Sequence, residues 1–259
     1  MKANSRRRVL ISSLAMLLVA LVALSTATFA WFTASTSATA SGVNVKTVQA
    51  SELKVASSAY SFTDTLNYGY TNQAFKPASS SNGTAWYTAE AATKGAFTAK
   101  DSKFDSITLS PTDNYVFDEE LNIRNYGAAK VEDVTITFSI AETATTENQN
   151  YVRVALVPMT AHNGTFTATN FQSSDYIFDK DGVAYNAVDS ATTAAVSITP
   201  GTDCTVEVGD LAGYDGETYA EANYKLFIWF EGQDAQCFDS NAGNALPSIS
   251  FAISGNTVQ

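Results

Sequence analysis

Seven residues, Val134-Thr135-Ile136-Thr137-Phe138-Ser139-Ile140, alternate apolar and hydroxyl side chains without a break. A period of two gives an extended strand one buried and one solvated face, and it cannot lay down the stripe of an amphipathic helix. Tyr151–Val157 reads as a second strand, closed by Pro158. Further strands are predicted at 43–48, 115–123, 183–185, 195–198, 204–208, 224–230 and 249–253. Turn dipeptides fall between them: Asn82-Gly83, Asn163-Gly164, Asp181-Gly182, Pro200-Gly201 and Asp215-Gly216. Many short strands with turn chemistry between them predict an all-β, antiparallel sandwich or barrel. No window is a convincing amphipathic helix, although Ala89–Lys94 could make one or two turns before Gly95. Residues 57–105, rich in Ser, Thr, Ala and Tyr, read as a loop-rich insertion carrying short strands. No linker or repeat divides residues 49–259, which are expected to form one domain.

Composition narrows the chemistry. The chain has 26 Asp+Glu against 15 Lys+Arg, a net charge of −11, which argues against nucleic acid as a partner. One histidine and two cysteines are too few for a Cys/His zinc site. Charged residues make up only 16%, and Ser, Thr, Asn and Gln carry the polarity instead, which suits strands and turns.

The first thirty residues read as an address. Lys2, Arg6, Arg7 and Arg8 precede an apolar run from Val9 to Leu24, broken only by Ser12 and Ser13, and small residues follow to Ala30. This is the order of a secretory signal peptide, predicted as a helix. The run falls short of the roughly 20 residues of a transmembrane helix. Retention of 28–30 would extend it to Phe32 as an anchor, which is the alternative. Arg6-Arg7 also fits a twin-arginine signal, and either route exports the chain. Removal of residues 1–30 leaves 11 basic against 26 acidic residues, a net −15.

Each candidate for chemistry has a structural alternative. His162, before the Asn163-Gly164 turn, lacks any H-E-x-x-H or G-x-S-x-G context and reads as an exposed loop residue. Asp179-Lys180-Asp181-Gly182 resembles the middle of a calcium loop, but Ile177 and Val188 would fall at ligand positions, so a hairpin turn is the better reading. Glu119-Glu120, Glu132-Asp133 and Asp210…Asp215 could support weak calcium sites or simply be solvated. No catalytic, cofactor-binding or metal-ligating residue is assigned. Cys204 and Cys237, an even count in an exported chain, are expected to form a disulfide; two reduced thiols are the alternative. Trp31 and Phe32 would open the mature chain, and 33–45 carries no charge and no proline. That composition suits a strand that adds to a sheet edge, in its own subunit or another.

Three segments resemble one family. Ala27-Thr28-Phe29-Ala30-Trp31-Phe32-Thr33, with Ala38-Thr39-Ala40-Ser41-Gly42-Val43-Asn44-Val45, is similar to the processed N-terminus of TasA/camelysin-like proteins of Gram-positive bacteria. Phe117-Asp118-Glu119-Glu120-Leu121-Asn122-Ile123-Arg124-Asn125-Tyr126-Gly127 resembles that family's strand ending in an Asn-x-Gly turn. The Trp229-x-Glu231-Gly232-x-Asp234-x-x-Cys237 segment is similar to one in exported gut clostridial proteins with this type of signal peptide. Residues 57–105 have no counterpart. The resemblance implies cleavage between Ala30 and Trp31 by a SipW-type signal peptidase and a secreted, jelly-roll-like β-sandwich. It also implies assembly into matrix fibres, with residues 31–48 as donor strand and Val43, Val45 and Val48 filling a neighbour's pockets. Camelysin-type protease activity does not carry over, because the histidines for its metal are missing.

The expectation is a non-enzymatic structural protein, secreted to the cell surface or biofilm matrix, that forms homo-oligomers or fibres by strand addition. A surface adhesin or carbohydrate-binding domain is the alternative, with Tyr60, Tyr68, Tyr70, Trp86 and Tyr87 as stacking candidates for glycan partners. An exported hydrolase is the third reading.

Overall fold

The computed structural model describes residues 16, 43–47, 52–70, 74–89, 104–110, 112–140, 151–191, 193–237 and 246–258. Residues 40–259 form one unit, which is nearly all β. The signal segment apart from Met16, the Ala30–Trp31 junction and Val48 lie outside the described residues.

Two five-stranded sheets face each other. The first runs β13 (Thr205–Leu211), β8 (Val131–Ile140), β15 (Ile249–Thr257), β1 (Val43–Thr47), β3 (Thr65–Asn67). The second runs β10 (Ile177–Phe178), β9 (Val152–Pro158), β14 (Glu221–Phe230), β7 (Val116–Asn125), β2 (Leu53–Ala56). From β7 to β8 to β9, and again from β13 to β14 to β15, the chain crosses between the sheets at every step. Each crossing buries one face of a strand against the other sheet, the sandwich logic expected from the alternating pattern. Val134, Ile136 and Phe138 of β8 and Phe251 and Ile253 of β15 meet Leu121, Ile123, Leu156, Leu226 and Ile228 of the second sheet in one core.

The second sheet is also covered on part of its outer face. Phe227, Trp229, Ala155 and Val157 pack there against Trp86, Phe171, Tyr185 and Ile198. These come from β5 (Trp86–Thr88), the one-turn helix α1 (Ala168–Phe171), and the ribbon of β11 (Tyr185–Ser190) and β12 (Thr193–Ile198). With β4 (Ala78–Ser79) and β6 (Ser106–Ile107), β5 completes a small three-stranded sheet. Strands buried on both faces become continuous apolar runs, which is why 226–230 and 154–157 do not alternate.

Two details differ from expectation. The sandwich is antiparallel except at β1, which pairs parallel with β15 in the register Val43↔Ile249 to Thr47↔Ile253. The predicted strand at 183–185 is instead β11, beginning at Tyr185, because Asp179 caps the preceding turn through the N–H groups of Asp181, Gly182 and Val183. Of the short helix expected at 89–94, Ala89 is not helical and the rest lies outside the described residues.

Candidate functional site

Three places draw the suspected residues together. The first is the β1 slot. β1 lies between β15 and β3, hydrogen-bonded on both sides. Val43 and Val45 point into the core of their own unit, 1% and 2% exposed.

The second is the corner after β14. The Trp229 indole N–H donates to Glu231 Oε2 and the Gln233 N–H to Oε1, each at 2.9 Å. Gly232 passes so close to the Ala89 carbonyl that a Cβ there would lie 1.6 Å from its oxygen. Asp234 pairs with Arg153 of β9, whose Nη1 lies 3.2 Å from Asp179 and whose guanidinium sits over the Tyr185 ring. All of these side chains are buried. Burial pushes the Glu231 carboxyl up to about 7, against the hydrogen bonds from Trp229 and its neighbours and the charge of Arg153. Burial works against the charge of Arg153 too, but Asp234 and Asp179 outweigh it and hold the guanidinium charged. Every polar group of the motif is thus engaged in fastening a turn. The Asn125-Tyr126-Gly127 turn is the same kind of device: buried Asn125 accepts from the Gly127 N–H and donates to the Ala129 and Ala212 carbonyls.

The third is a surface at the uncovered end of the second sheet's outer face. Arg124 of β7 and Glu221 of β14 are register partners there and form an ion pair. The next pair along is Asn122 and Asn223. Around Arg124 stand Phe62, Tyr60, Tyr219 and Tyr126, with ring centroids 4.0, 5.0, 5.0 and 5.4 Å from its guanidinium carbon. Arg124 Nη1 donates to the Tyr126 hydroxyl at 3.0 Å, and the Tyr60 hydroxyl donates to Glu221 at 2.6 Å. Burial opposes the charge of Arg124, but bonds to Tyr126, Tyr60 and Glu221 raise its pKa above the ordinary value. Tyr60 has a φ of 56°, left-handed backbone that costs a bulky residue about 1–2 kcal/mol. The Tyr60 N–H closes the Ser57 turn, and buried Asn122 ties the Ser57 carbonyl to β7 at 3.2 Å. His162 stacks on Tyr60 at 4.0 Å and lies 2.9 Å from Glu120. It is therefore half-buried and ring-stacked, not the exposed loop residue expected, because the Tyr60 turn closes over it.

The other candidates separate. Trp86 is 1% exposed within the second core, Tyr68 and Tyr70 pack edge-on against Phe117, and Tyr87 packs against Ala89, Phe104 and Val188, so of the five aromatics proposed for stacking only Tyr60 is exposed. Lys130 is shared between Glu132 and Asp210 at 3.0 and 2.7 Å. Among the described residues no group of three or more His, Cys, Asp or Glu is placed to hold a metal, and no helix is long and apolar enough to cross a membrane.

The expected Cys204–Cys237 disulfide is corrected: the structure holds both residues as thiols. Cys204 enters β13 in the first sheet, its carbonyl accepting from Phe138, whereas Cys237 closes the turn after β14 in the second.

Phe62, Tyr214, Tyr219 and Glu221 are not singled out by the sequence, and Arg124 and Tyr126 enter it only as part of the Phe117–Gly127 segment, because no motif spans positions so far apart. Comparison with protein families, characterised proteins and solved structures finds no match for this chain.

Proposed function

We propose that this is an exported structural subunit of the TasA/camelysin-like kind, which builds extracellular fibres by exchanging β1 between neighbours. The observation that carries this reading is the position of β1. The first described strand of the folded unit fills an interior slot between β15 and the short edge strand β3, held by only five residues. Its two core valines contribute roughly 1.5–3 kcal/mol each. A neighbour's β1 can satisfy the same slot with the same contacts, so closed and exchanged forms differ mainly in chain entropy and local concentration. Exchange passed from subunit to subunit is head-to-tail and open-ended, the symmetry of a filament.

The register supplies the test. Asn44 and Ser250 are partners on the outer side of the β1–β15 pair, and neighbouring strands about 4.8 Å apart suit a disulfide. With both natural cysteines replaced by alanine, the Asn44→Cys/Ser250→Cys protein is oxidised and run without reductant. Exchange yields a ladder of covalent multimers from fibres seen by negative stain. A variant lacking residues 31–48 yields no fibres. Fibres containing only intrachain bridges, or monodisperse monomers from every variant, overturn the proposal. N-terminal sequencing of secreted protein tests the export step, with Trp31 as the expected first residue.

A further inference from the structure

We infer that the surface around Arg124 is a binding platform for an extended, neutral glycan, independently of whether β1 is exchanged. Six rings follow one another without a gap. His162 stacks on Tyr60 at 4.0 Å, Tyr60 meets Phe62 at 5.1 Å, and Phe62 meets Tyr126 at 5.8 Å. Tyr126 then meets Tyr219 at 4.7 Å, and Tyr219 stacks on Tyr214 at 4.2 Å. Tyr60, Tyr126 and Tyr219 are among the few large hydrophobic side chains left exposed, at 36–37% each. Tyrosines that sought only burial would turn inward. Here the rings are fixed at the surface instead: the Tyr60 hydroxyl by Glu221, the Tyr126 hydroxyl by Arg124, and Tyr219 by its stack on Tyr214, whose own hydroxyl donates to the Gly216 carbonyl at 2.8 Å. Rings held this way form a rigid aromatic surface at little entropic cost, against which the C–H groups of a pyranose can pack.

Size and charge select the ligand. A third of each exposed tyrosine is on the order of 200 Å² in total, far below the roughly 800 Å² per partner of a stable protein interface. A row of rings with little depth suits a chain of sugars better than a folded protein. The local charges are already paired, Arg124 with Glu221, and Asp215 and Glu217 border Tyr214 in sequence. In a chain of net charge −11 this disfavours an anionic polymer. The left-handed backbone of Tyr60 is the cost of holding its ring in the row.

The test is affinity electrophoresis of the purified protein through gels containing neutral polysaccharides (β-glucan, xylan, mannan) or an acidic one (polygalacturonate), alongside an array of neutral oligosaccharides. Retardation by at least one neutral polysaccharide is expected, weakened tenfold or more by Tyr219→Ser and by Tyr60→Gly. Glycine accepts the φ of position 60, so Tyr60→Gly stays folded if Tyr219→Ser does not, and circular dichroism checks both. No retardation by any neutral polysaccharide, retardation by the acidic one alone, or binding unchanged in the folded variants overturns the inference. Self-association abolished by Tyr60→Gly, with no glycan bound, would assign the surface to a second copy and also overturn it.

Discussion

Glu231→Gln isolates the buried carboxyl at the corner after β14. Glu231 is fully buried, accepts from the Trp229 indole and the Gln233 amide, and its pKa stands at about 7 against an ordinary 4.5. A carboxyl whose folded pKa is raised favours folding in its protonated form. Its contribution is therefore fully present below about pH 4.5, is lost as pH rises through 7, and is constant above that. The gap corresponds to roughly 3 kcal/mol, or about 6–12 °C in Tm for a domain of this size. Glutamine keeps the shape and one acceptor oxygen but cannot ionise. Urea unfolding followed by tryptophan fluorescence at pH 4.5 and pH 8 measures the difference between the two proteins. The native protein should lose about 3 kcal/mol more than the variant over that interval. The carboxyl of Asp179, raised by burial, acts in the same direction, and those of Asp210 and Asp215, lowered by hydrogen bonds, act in the opposite one. All three remain in both proteins and drop out of the comparison to first order. Parallel pH profiles would refute the reasoning, because they would mean that Glu231 stays charged or reaches water.

Gly232→Ala drives a methyl group into the Ala89 carbonyl, and urea unfolding should show a loss of about 3 kcal/mol or more. Trp86→Ala empties the packing against Phe171, Phe227 and Trp229 and should cost about 3–5 kcal/mol, while glycan retardation at temperatures below its melting point stays unchanged. Thiol titration of the native protein should find Cys204 slow, since burial and the nearby Asp203 raise its pKa, and buried Cys237 slower still. Both should react in denaturant without reductant, and electrophoretic mobility should be the same with and without reductant.

What could be read in advance followed from local periodicity. β8 was legible because one of its faces is solvated, and β9 because Pro158 marks its end. The layer formed by β4, β5 and β6 was not, since strands of two or three residues hold no period to detect. Nor was the parallel β1–β15 pair, which joins residues some 200 positions apart by a register that neither segment encodes alone. The expected Cys204–Cys237 bridge rested on an even count of cysteines, and a count carries no information on how the fold places two thiols.

The two kinds of site differ in legibility for a physical reason. Trp229, Glu231, Gly232 and Asp234 form a conspicuous motif because a tight corner consumes neighbouring residues: an indole for a carboxylate, a missing Cβ for a passing carbonyl, a carboxylate for Arg153. A corner fully satisfied in this way has nothing left to offer a ligand, so its sequence signature points to folding. The Arg124 platform is the reverse. Its rings come from the turn after β2, the end of β7, the loop before β14 and the loop after β9, and only the register Arg124↔Glu221 brings those segments to one end of one sheet. Single aromatics at distant positions look like ordinary core, as Trp86 is. Among the described residues, what separates Tyr60, Tyr126 and Tyr219 from Trp86 is the absence of a layer above them. That depends on how far the third layer extends over the second sheet, so the decisive feature of the surface is a boundary of packing, and no residue within the platform records it.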